Sequence, residues 1–585
     1  MYAKLIPSET TGSEPKKPRL KKLIIKNFRS IGHEGMEIDL DEIVVLVGPN
    51  NVGKSSILRA YELVMLGDNK AAMLTIEDFP NRQTINHPII ELHTVVYDNS
   101  PGEKWIIDDN GEKLVKEKWT WNSPNVKPIR FGWIASESRW ATSEDKQKVP
   151  WGAANVAKSK RPEPHRVSAF DSPNEQGKEI VRLLKSYLTD KVKEFTADGE
   201  EETDEHKEYK QLIESVKRLQ NKIVEKSKNE IEEIEKDLTE LISKVFPGYS
   251  IKFDAKPENE IDKAISWFKE QPDLLMGPES GYQSTIDRQG SGARRTLLWT
   301  ALRLISEHKA KEGKPHLLLI DEPEICLHPN ATRAAREVLY DLPKAGNWQV
   351  MLTTHSPVFI DISKDNTTIT RVQKSNDGRV SATTIYRPDN ANLTEDDKLN
   401  LKLMNVYDPY FAEFFFGGRT IVVEGDTEYS AFNYLKSISD SLDDVHIIRA
   451  RGKASIVTVI KILNQFGVNY SVLHDTDKPK AYRKDGSEIA NPAWTNNMKI
   501  LSAVNEKDSR VTIRLVASVD NFEEAYLDSP LKGDKPYNAL NEMVKQESSF
   551  EEISTLFDAL VSFEKDLPDG ALEWSDITEL ERIFE

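Results

Sequence analysis

The stretch EIVVLVGPNNVGKSSILRAYELVML (Glu42–Leu66) passes from an apolar run through a Gly-rich loop into a helical pattern. Its centre, GPNNVGKS (Gly48–Ser55), matches the pattern G-x-x-x-x-G-K-[ST] between a strand and a helix, which is the context that gives the pattern meaning. Backbone N–H groups of such a loop surround phosphate oxygens, and the helix N-terminus adds a favourable partial charge. The stretch therefore predicts a nucleotide-binding site on an α/β sheet.

The residue types in this loop suggest individual roles. Lys54 is expected to reach the β- and γ-phosphates of ATP, and the Ser55 hydroxyl to ligate Mg²⁺. The residues expected to contact the nucleotide within the loop are Gly48, Asn50, Asn51, Gly53, Lys54, Ser55 and Ser56.

A second apolar run, HLLLIDEPE (His316–Glu324), ends in two carboxylates. Next to a phosphate loop, this pattern predicts that Asp321 holds Mg²⁺ through water and that Glu322 polarises the attacking water. Without the loop, the same letters would describe only a strand that ends at a solvated turn.

Two further segments define the type of ATPase. RQGSGARR (Arg288–Arg295) places Ser291 and Gly292 at a predicted helix start, and VMLTTHSP (Val350–Pro357) ends a strand near His355. This order of motifs resembles ABC-type ATPases, especially the SMC and RecF group, in which an insertion splits the head.

The resemblance implies a pair of heads that enclose two ATP molecules. Ser291 and Gly292 would contact the γ-phosphate of ATP held by the other subunit, and His355 would sense the γ-phosphate in its own site. The signature departs from LSGGQ and keeps only Ser-Gly, so engagement of the heads is less securely predicted than the site within one subunit.

Acidic residues follow two later strands. IVVEGDTEYSAF (Ile421–Phe432) runs into Glu424 and, in the first helical turn, Glu428; YSVLHDTDKPK (Tyr470–Lys480) ends in Asp475 and Asp477. Residues two apart on a strand point the same way, and ends of parallel strands meet at one edge of a sheet. Four carboxylates together repel one another unless divalent cations such as Mg²⁺ or Mn²⁺ lie between them.

The Glu-then-DxD order resembles the Toprim domain of topoisomerases, primases and some nucleases. A topoisomerase would carry a third Asp where this chain has Pro479. In Toprim nucleases of the OLD (overcoming lysogenisation defect) family, which this chain resembles, a later acidic residue matches Glu523 in SVDNFEEAY, and this resemblance implies that Glu523 supplies the missing charge. The resemblance also implies a lysine, matched best by Lys535 in GDKP, with Lys532 as a competitor. His474 is expected to be a packing residue, with a general base as the alternative.

An SMC-like ATPase followed by Toprim resembles the OLD (overcoming lysogenisation defect) family of nucleases, from about Leu20 onward. It implies an α/β fold: an ABC/SMC-like head with an inserted helical dimerisation arm, then a C-terminal Toprim domain. The expected activity is ATP hydrolysis and endonucleolytic cutting of DNA with two metal ions, one activating water and one steadying the leaving oxygen. Glu424, Asp475 and Lys535 would act at the cut, and Glu322 in ATP hydrolysis.

The family resemblance also suggests a setting. Such proteins serve anti-phage defence alone, beside a helicase-like partner as in Gabija systems, or beside a retron reverse transcriptase with its RNA-linked DNA. A homodimer or higher homo-oligomer is expected. The main alternative is a non-cutting DNA-binding ATPase whose Toprim module only grips DNA or a partner; a topoisomerase- or primase-like enzyme would need further modules.

The amino-acid composition limits the classes of protein to which the chain can belong. The chain has 585 residues, a net charge of −17 and one cysteine, Cys326, which suits a reducing cytoplasm. A signal peptide and a membrane span are not expected, because long apolar runs are lacking. The basic segments KKPRLKK, KSKRPEPHR and KPKAYRK are each expected to be solvated surface runs, with a local groove for nucleic-acid phosphates as the alternative. The position of KPKAYRK directly after the acidic pair favours that alternative for this segment. Cys326 with His328 is expected to lie in an ATPase loop instead of binding a metal.

The composition changes along the chain. The stretch 176–247 is dense in Glu and Lys with Leu and Ile at helical spacing, which favours equally a dimerisation arm and an ordinary charged helical subdomain. The predicted boundaries are a flexible tail at 1–20, the ATPase domain at 21–175 and 248–400 around the helical insertion at 176–247, and the Toprim domain with C-terminal helices at 401–585.

Overall fold

The computed structural model describes most of the chain. The described residues are 17–67, 70–152, 154–168, 172, 174–184, 232–243, 248–254, 273–307, 315–325, 327, 329–375, 378–387, 393–407, 411–439, 441–482, 487–507, 509, 511–527 and 533–585. They form two compact units. The first comprises residues up to 46, 51–354 and 374–382, and the second comprises 47–50, 355–373 and 383–585.

The described residues alternate strands and helices. The strands are β1 (Arg19–Lys26), β2 (Met36–Asp39), β3 (Ile43–Val47), β4 (Ile89–Val96), β5 (Ile107–Asp109), β6 (Glu112–Thr120), β7 (Ile129–Ile134), β8 (Arg139–Trp140), β9 (Glu163–Val167), β10 (Tyr249–Asp254), β11 (Asp273–Pro278), β12 (Ser284–Thr285), β13 (His316–Asp321), β14 (Trp348–Thr353), β15 (Thr367–Lys374), β16 (Val380–Tyr386), β17 (Arg419–Val423), β18 (Val445–Arg449), β19 (Tyr470–Asp475), β20 (Lys480–Tyr482), β21 (Glu488–Ala490), β22 (Ile513–Ser518) and β23 (Ala571–Glu573). The labelled helices are α1 (Lys54–Leu66), α2 (Ala154–Ser159), α3 (Ser291–Glu307), α4 (Pro329–Asp341), α5 (Glu395–Tyr407), α6 (Asp426–Ser437), α7 (Lys453–Leu463), α8 (Pro492–Asn505), α9 (Phe522–Tyr526), α10 (Lys535–Lys545), α11 (Glu547–Val561) and α12 (Ile577–Glu581).

A parallel sheet organises the first unit. Its strands follow the order β3, β14, β13, β9, with every neighbouring pair parallel. The residues of β13 and β14 are all buried, which is why these strands appear in the sequence as unbroken apolar runs. Parallel pairing brings the carboxyl ends of these strands to one edge, and α1 begins just beyond β3.

An antiparallel sheet accompanies it in the same unit. The order is β2, β1, β4, β6, β7, β8, with β5 paired to β6. Its side chains alternate between the core and the surface, as in β1, where Leu20, Leu23 and Ile25 are fully buried and the lysines between them are not. Strands β10 to β12 form a smaller antiparallel sheet.

The second unit contains a five-stranded sheet in the order β18, β17, β19, β22, β23. The first four strands are parallel and β23 is antiparallel to β22. Helix α6 follows β17 and α7 follows β18, so the chain builds consecutive β-α-β crossovers. The core joins strand residues to α6 and α11, including Ile421, Phe432, Leu473 and Phe557.

Most expectations for secondary structure are confirmed. Strands form in the apolar runs that begin near Leu20, Ile43, Ile421 and Tyr470, and a helix follows the Gly-rich loop. Residues 174–184 and 232–243 are helical, whereas the stretch between them, where the dimerisation arm is predicted, lies outside the described residues. Among the described helices, none has the length and apolarity needed to traverse a bilayer.

One basic segment differs from its predicted role. KSKRPEPHR was expected to be a solvated surface run, but Arg161 is 3% exposed and donates two hydrogen bonds, of 2.8 and 2.7 Å, to the Glu117 carboxylate. Its guanidinium also lies 4.8 Å from the Trp119 ring centroid. Arg161 can be buried in the first unit because the carboxylate of Glu117, in β6, neutralises its charge.

Loss of this buried partner should destabilise the first unit. Glu117→Gln leaves the Arg161 guanidinium without a counter-charge, so we expect the free energy of unfolding to fall by about 3–5 kcal/mol. Urea unfolding followed by circular dichroism measures the change. The matched control is Glu137→Gln, which removes an exposed partner of Arg139 and should cost less than about 1 kcal/mol. Equal effects of the two substitutions would contradict a buried ion pair.

Candidate active sites

The backbone of the phosphate loop requires glycine at two positions. Gly48 has φ +138°, and a Cβ there would lie 2.0 Å from the Val372 carbonyl oxygen. Gly53 has φ +96° and caps α1, and a Cβ there would lie 2.8 Å from Ser30 Oγ. A side chain at either position would meet both backbone strain and a steric clash. The loop is therefore fixed in shape immediately before the helix N-terminus.

Lys54 lies in an acidic and desolvated environment. Lys54 is 6% exposed. Burial lowers the pKa of its ammonium group, while the nearby carboxylates of Glu322, Asp321 and Glu324 act in the opposite direction and raise it. Ser55 Oγ donates a hydrogen bond of 3.1 Å to Asp321 Oδ1. The loop serine and the acidic strand end are thus adjacent, as oxygen ligands of one Mg²⁺ ion need to be.

Asp321 is held by two residues that the motif analysis did not identify. Thr353 Oγ1 donates to Asp321 Oδ1 at 2.5 Å, and Arg166 Nη2 lies 3.4 Å from Asp321 Oδ2. Thr353 is the last residue of β14. No local signal marks Arg166, which belongs to the segment expected to be a surface run. Arg166 reaches Asp321 only because β9 and β13 pair in register.

Glu322 occupies a strained position just beyond β13. Its φ is +47°, in the left-handed region that non-glycine residues seldom occupy. Its backbone N–H donates to the Thr353 carbonyl oxygen at 3.1 Å. Such strain is often found at functional positions, and the role of Glu322 in ATP hydrolysis stays a prediction.

Ser291 and Gly292 begin α3, as the sequence predicts. Ser291 is exposed, while two residues of the next turn are buried and anchor the helix. Of these, Arg295 donates to the Ser168 carbonyl oxygen at 3.0 Å. An anchored helix with an exposed N-terminal serine can present that serine to another molecule.

Three further residues were predicted to belong to the ATPase machinery or its loops. His355 follows β14 by two residues and belongs to the second unit, where its ring stacks on Phe416 with centroids 6.4 Å apart. Cys326 and His328 lie outside the described residues.

In the second unit, the predicted carboxylates Glu424 and Asp475 lie next to each other. Glu424 follows β17 and Asp475 ends β19, and these strands are neighbours. Glu424 Oε2 accepts a hydrogen bond of 3.1 Å from the Asp475 backbone N–H. Asp475 Oδ1 in turn accepts one of 2.9 Å from the Phe522 backbone N–H. Asp475 therefore connects two separate segments at the carboxyl edge of the sheet.

Glu428 and Glu523 join this edge from two helices. Glu428 lies in the first turn of α6 and accepts a hydrogen bond of 3.3 Å from the Gly425 N–H. Thr427 Oγ1 donates to Glu523 Oε1 at 2.9 Å, and Lys535 Nζ lies 3.4 Å from Glu523 Oε2. Lys535 is thus beside the acidic residues, while its competitor Lys532 lies outside the described residues.

Asp477 is placed differently from the expectation that it shares a strand with Asp475. Strand β19 ends at Asp475, and Asp477 has φ +56° in the turn that follows. Its carboxylate pairs with Lys453, the buried first residue of α7, whose Nζ also lies 3.4 Å from the Thr476 carbonyl oxygen. In the sequence, Lys453 directly follows Gly452 between the two acidic segments.

We call Glu424, Glu428, Asp475, Asp477 and Glu523 the acidic edge. Burial, the largest cause, raises the pKa of Glu424, raises that of Glu428 to about 7 and raises that of Asp475 to about 9. Mutual repulsion adds to the effect, and Lys453 opposes it at Glu424. Buried carboxylates of this kind ionise only when a positive charge lies close to them.

The donor chemistry of the acidic edge fits a hard divalent cation. Every donor is a carboxylate, the ligand type that Mg²⁺ and Mn²⁺ take. Within the described part of the chain, no three of these carboxylates have oxygen atoms all within 4.8 Å of one another. The donors therefore surround an open edge, and three of the carboxylates accept hydrogen bonds from main-chain N–H groups.

His474 is a packing residue, as expected. It is fully buried, its Nδ1 bonds to the Asp475 carbonyl oxygen at 2.8 Å, and its Nε2 accepts a hydrogen bond of 3.1 Å from Trp574 Nε1. Burial lowers its pKa to about 3. Both ring nitrogens are engaged within the core, so this imidazole is not positioned as a base.

A phosphate-loop ATPase followed by a carboxylate-lined parallel sheet defines the class of ATPases joined to a Toprim domain. Residues 19–360 match the family described as AAA ATPase domain, and residues 415–477 match the overcoming lysogenization defect protein-like TOPRIM domain. The chain belongs to the OLD family, whose members join these two domains.

Two relatives resemble most of the chain. An OLD nuclease of Thermus scotoductus is 26% identical over 78% of this chain and 82% of its own length. The Old nuclease of Escherichia phage P2 is 22% identical over 78% of this chain and 77% of its own length. Among solved structures, an SMC head bound to a domain of ScpA overlaps with a TM-score of 0.38 at 16% identity, over 63% of this chain and 98% of that chain.

The family confirms the expected fold class and activity. The chain is an ATPase and a nuclease, and it uses a nucleotide and a divalent metal. ATP and DNA are therefore its partners.

The raised pKa of Asp475 predicts how metal-free protein responds to pH. A carboxyl group whose native pKa is about 9 binds its proton more tightly when folded, so stability should fall as pH rises from 5 toward 9. Asp475→Asn removes this titrating group. The thermal midpoint, measured in EDTA, should therefore fall with rising pH by several degrees less in Asp475→Asn than in wild type.

The control substitution is at Asp397, a carboxylate whose pKa is shifted in the opposite direction from that of Asp475. Asp397 has a lowered pKa because, against the effect of burial, it accepts hydrogen bonds from Lys461, Thr458 and Thr394. Asp397→Asn should therefore lower the midpoint at neutral pH. If wild type and Asp475→Asn lost stability equally with rising pH, the repulsion assigned to the acidic edge would be wrong.

Proposed function

We propose that the chain cuts DNA by Mg²⁺-dependent phosphodiester hydrolysis at the acidic edge, with Mn²⁺ able to replace Mg²⁺, and that ATP controls this activity. The observation that supports this most strongly is the position of Asp475. Its main chain donates to Glu424 and its side chain accepts from Phe522, so three segments distant in sequence bring their carboxylates together.

The five acidic residues are the proposed metal ligands, and a lysine supports one of them. Glu424, Glu428, Asp475, Asp477 and Glu523 would hold two divalent ions, which when bound activate water and neutralise charge on the scissile phosphate. Lys453 keeps the Asp477 carboxylate on the side of α7. It is a positioning residue.

Lys535 is the cation that we assign to the reacting phosphate. Its side chain is 57% exposed and lies beside Glu523, so its ammonium group can turn toward a DNA strand that reaches the edge. A positive charge there stabilises the negative charge that accumulates in the transition state.

ATP would set a conformation instead of driving translocation. Lys54 and Ser55 bind the phosphates and Mg²⁺, Asp321 supports the ion and Glu322 orients the attacking water. The exposed Ser291 and the adjacent Gly292 suit contact with ATP held by a second subunit, with His355 as the sensor of the γ-phosphate. We therefore propose a homodimer or a higher homo-oligomer.

The cellular setting extends this proposal. A role in anti-phage defence within the cytoplasm follows from the family resemblance. A retron reverse transcriptase with its RNA-linked DNA, or a helicase-like partner, stays a prediction.

Cleavage of plasmid DNA tests the acidic edge. Wild type with Mg²⁺ or Mn²⁺ should convert supercoiled DNA to cut forms, and Asp475→Asn should cut at least about 100-fold more slowly, because a preorganised charge at the reacting centre is lost. Asp444→Asn is the matched control, since Asp444 pairs with Arg419 on the surface of the same unit.

The possible outcomes separate the two functional alternatives. If wild type failed to cut under every nucleotide and metal condition while still binding DNA, the non-cutting DNA-binding ATPase would be favoured. If Asp475→Asn cut as fast as wild type, the site would lie elsewhere.

The rate of ATP hydrolysis tests whether the phosphate loop is the hydrolytic site. Lys54→Ala removes the buried ammonium group and should reduce hydrolysis by about 100-fold or more, measured as phosphate release. Lys127→Ala, an exposed lysine of the same unit, should leave turnover unchanged. Persistent turnover in Lys54→Ala would show that this loop is not the hydrolytic site.

A further inference from the structure

A second group of metal-ligating side chains lies at the opposite end of the first unit's parallel sheet. Glu163 is the first residue of β9, His316 is the first residue of β13, and the two are register partners. His165 lies two residues into β9 from Glu163. Strand β13 therefore begins at this group and ends at Asp321, the acidic residue of the nucleotide site.

The three side chains are close enough to share one ion. His165 Nε2 lies 3.1 Å from His316 Nδ1, and a ligand atom from each of Glu163, His165 and His316 lies within 4.8 Å of the other two. In the part of the chain that the structure describes, no other three His, Cys, Asp or Glu residues meet this condition. Both imidazoles are buried, at 0% and 3% exposure.

The surroundings resemble the outer shell of a metal site. His165 Nδ1 lies 3.3 Å from Glu179 Oε1, which matches the carboxylate that usually orients a metal-bound histidine through its second nitrogen. Arg182 lies within 3.4 Å of Glu179 and 3.2 Å of Glu163. Trp348 stacks on the His316 ring at 4.6 Å between centroids.

The two ring nitrogens share a hydrogen bond, and their spacing is also compatible with a bound ion. Two nitrogens bound to tetrahedral zinc at about 2.0–2.1 Å lie roughly 3.3 Å apart, close to the observed separation. A set of two imidazoles and one carboxylate suits zinc better than magnesium. A cavity of about 390 Å³, lined in part by His316, Trp348 and Pro315, adjoins this group at His316, and the Glu163 side chain is itself 36% exposed.

We propose that His165 Nε2, His316 Nδ1 and the Glu163 carboxylate bind one divalent transition-metal ion of the zinc class, with water as a fourth ligand from the cavity. The ion would tie the first residues of β9 and β13 together and stabilise the ATPase unit. Its softer donor set distinguishes it from the all-carboxylate acidic edge, so one chain would carry two kinds of metal site.

Zinc retention by the full-length chain tests this proposal. Metal-stripped protein is dialysed against Zn²⁺ with excess Mg²⁺, and bound zinc is counted by mass spectrometry. To remove zinc bound at the acidic edge, the measurement uses the Glu424→Gln, Asp475→Asn double variant as the parent. We expect one zinc ion per chain and a rise of a few degrees in the thermal midpoint.

Substitution of the ligands identifies the site. In the same parent, His316→Gln and His165→Gln should lose the zinc and the thermal shift. His93→Gln, which alters a histidine paired with Glu91 in the same unit, should keep both. Co²⁺ should show the visible bands of a four-coordinate site in the parent and lose them in the two ligand variants.

Two results would overturn the proposal. One is a parent that retains no zinc and shows no four-coordinate Co²⁺ spectrum; the other is zinc retention that persists in both histidine variants. If those variants do not fold, as judged by circular dichroism, Glu163→Gln replaces them, because its side chain is 36% exposed. It should weaken zinc binding at least about tenfold, and unchanged affinity would count against the site.

Discussion

The acidic edge depends on the convergence of Glu424 and Asp475 at the ends of adjacent parallel strands. The Asp475 N–H donates to the Glu424 carboxylate, and the Asp475 side chain draws in the segment at Phe522. Burial makes these carboxylates difficult to ionise without a positive partner. A divalent cation satisfies that requirement, and the same ion is what phosphodiester hydrolysis needs. An electrostatic cost in the folded chain would thus become the basis of the nuclease site that we propose.

Both units use parallel strands in the same way. In the first unit, β13 ends in Asp321; in the second, β17 leads to Glu424 and β19 ends in Asp475. Parallel pairing places all carboxyl ends of the strands at one edge, where loops can carry polar groups without disturbing the buried sheet. The opposite edge of the first sheet carries the two histidines that we propose as a zinc site. One strand, β13, therefore connects two chemically different environments.

Local motifs predicted the residues whose chemistry follows from their own segment. The phosphate loop, the acidic end of β13 and the glutamates after β17 each combine a strand pattern with its functional residue. Arg166, Lys453 and Thr353 carry no such local signal, and each contributes through a partner distant in the chain. Asp477 shows the limit of periodicity, because β19 ends two residues before it and a turn redirects its side chain.

The sequence by itself determined the two α/β domains, the nucleotide loop and the acidic residues of the edge, because strand periodicity and loop chemistry are encoded within a few residues. Only the tertiary structure decided that Arg161 is buried against Glu117, that Arg166 contacts Asp321, and that His165 meets His316 across more than one hundred residues. These contacts depend on strand order and register, which arise from packing of the whole sheet. A motif can specify which group is present, but the neighbours that set its charge and hydrogen bonding come from the fold.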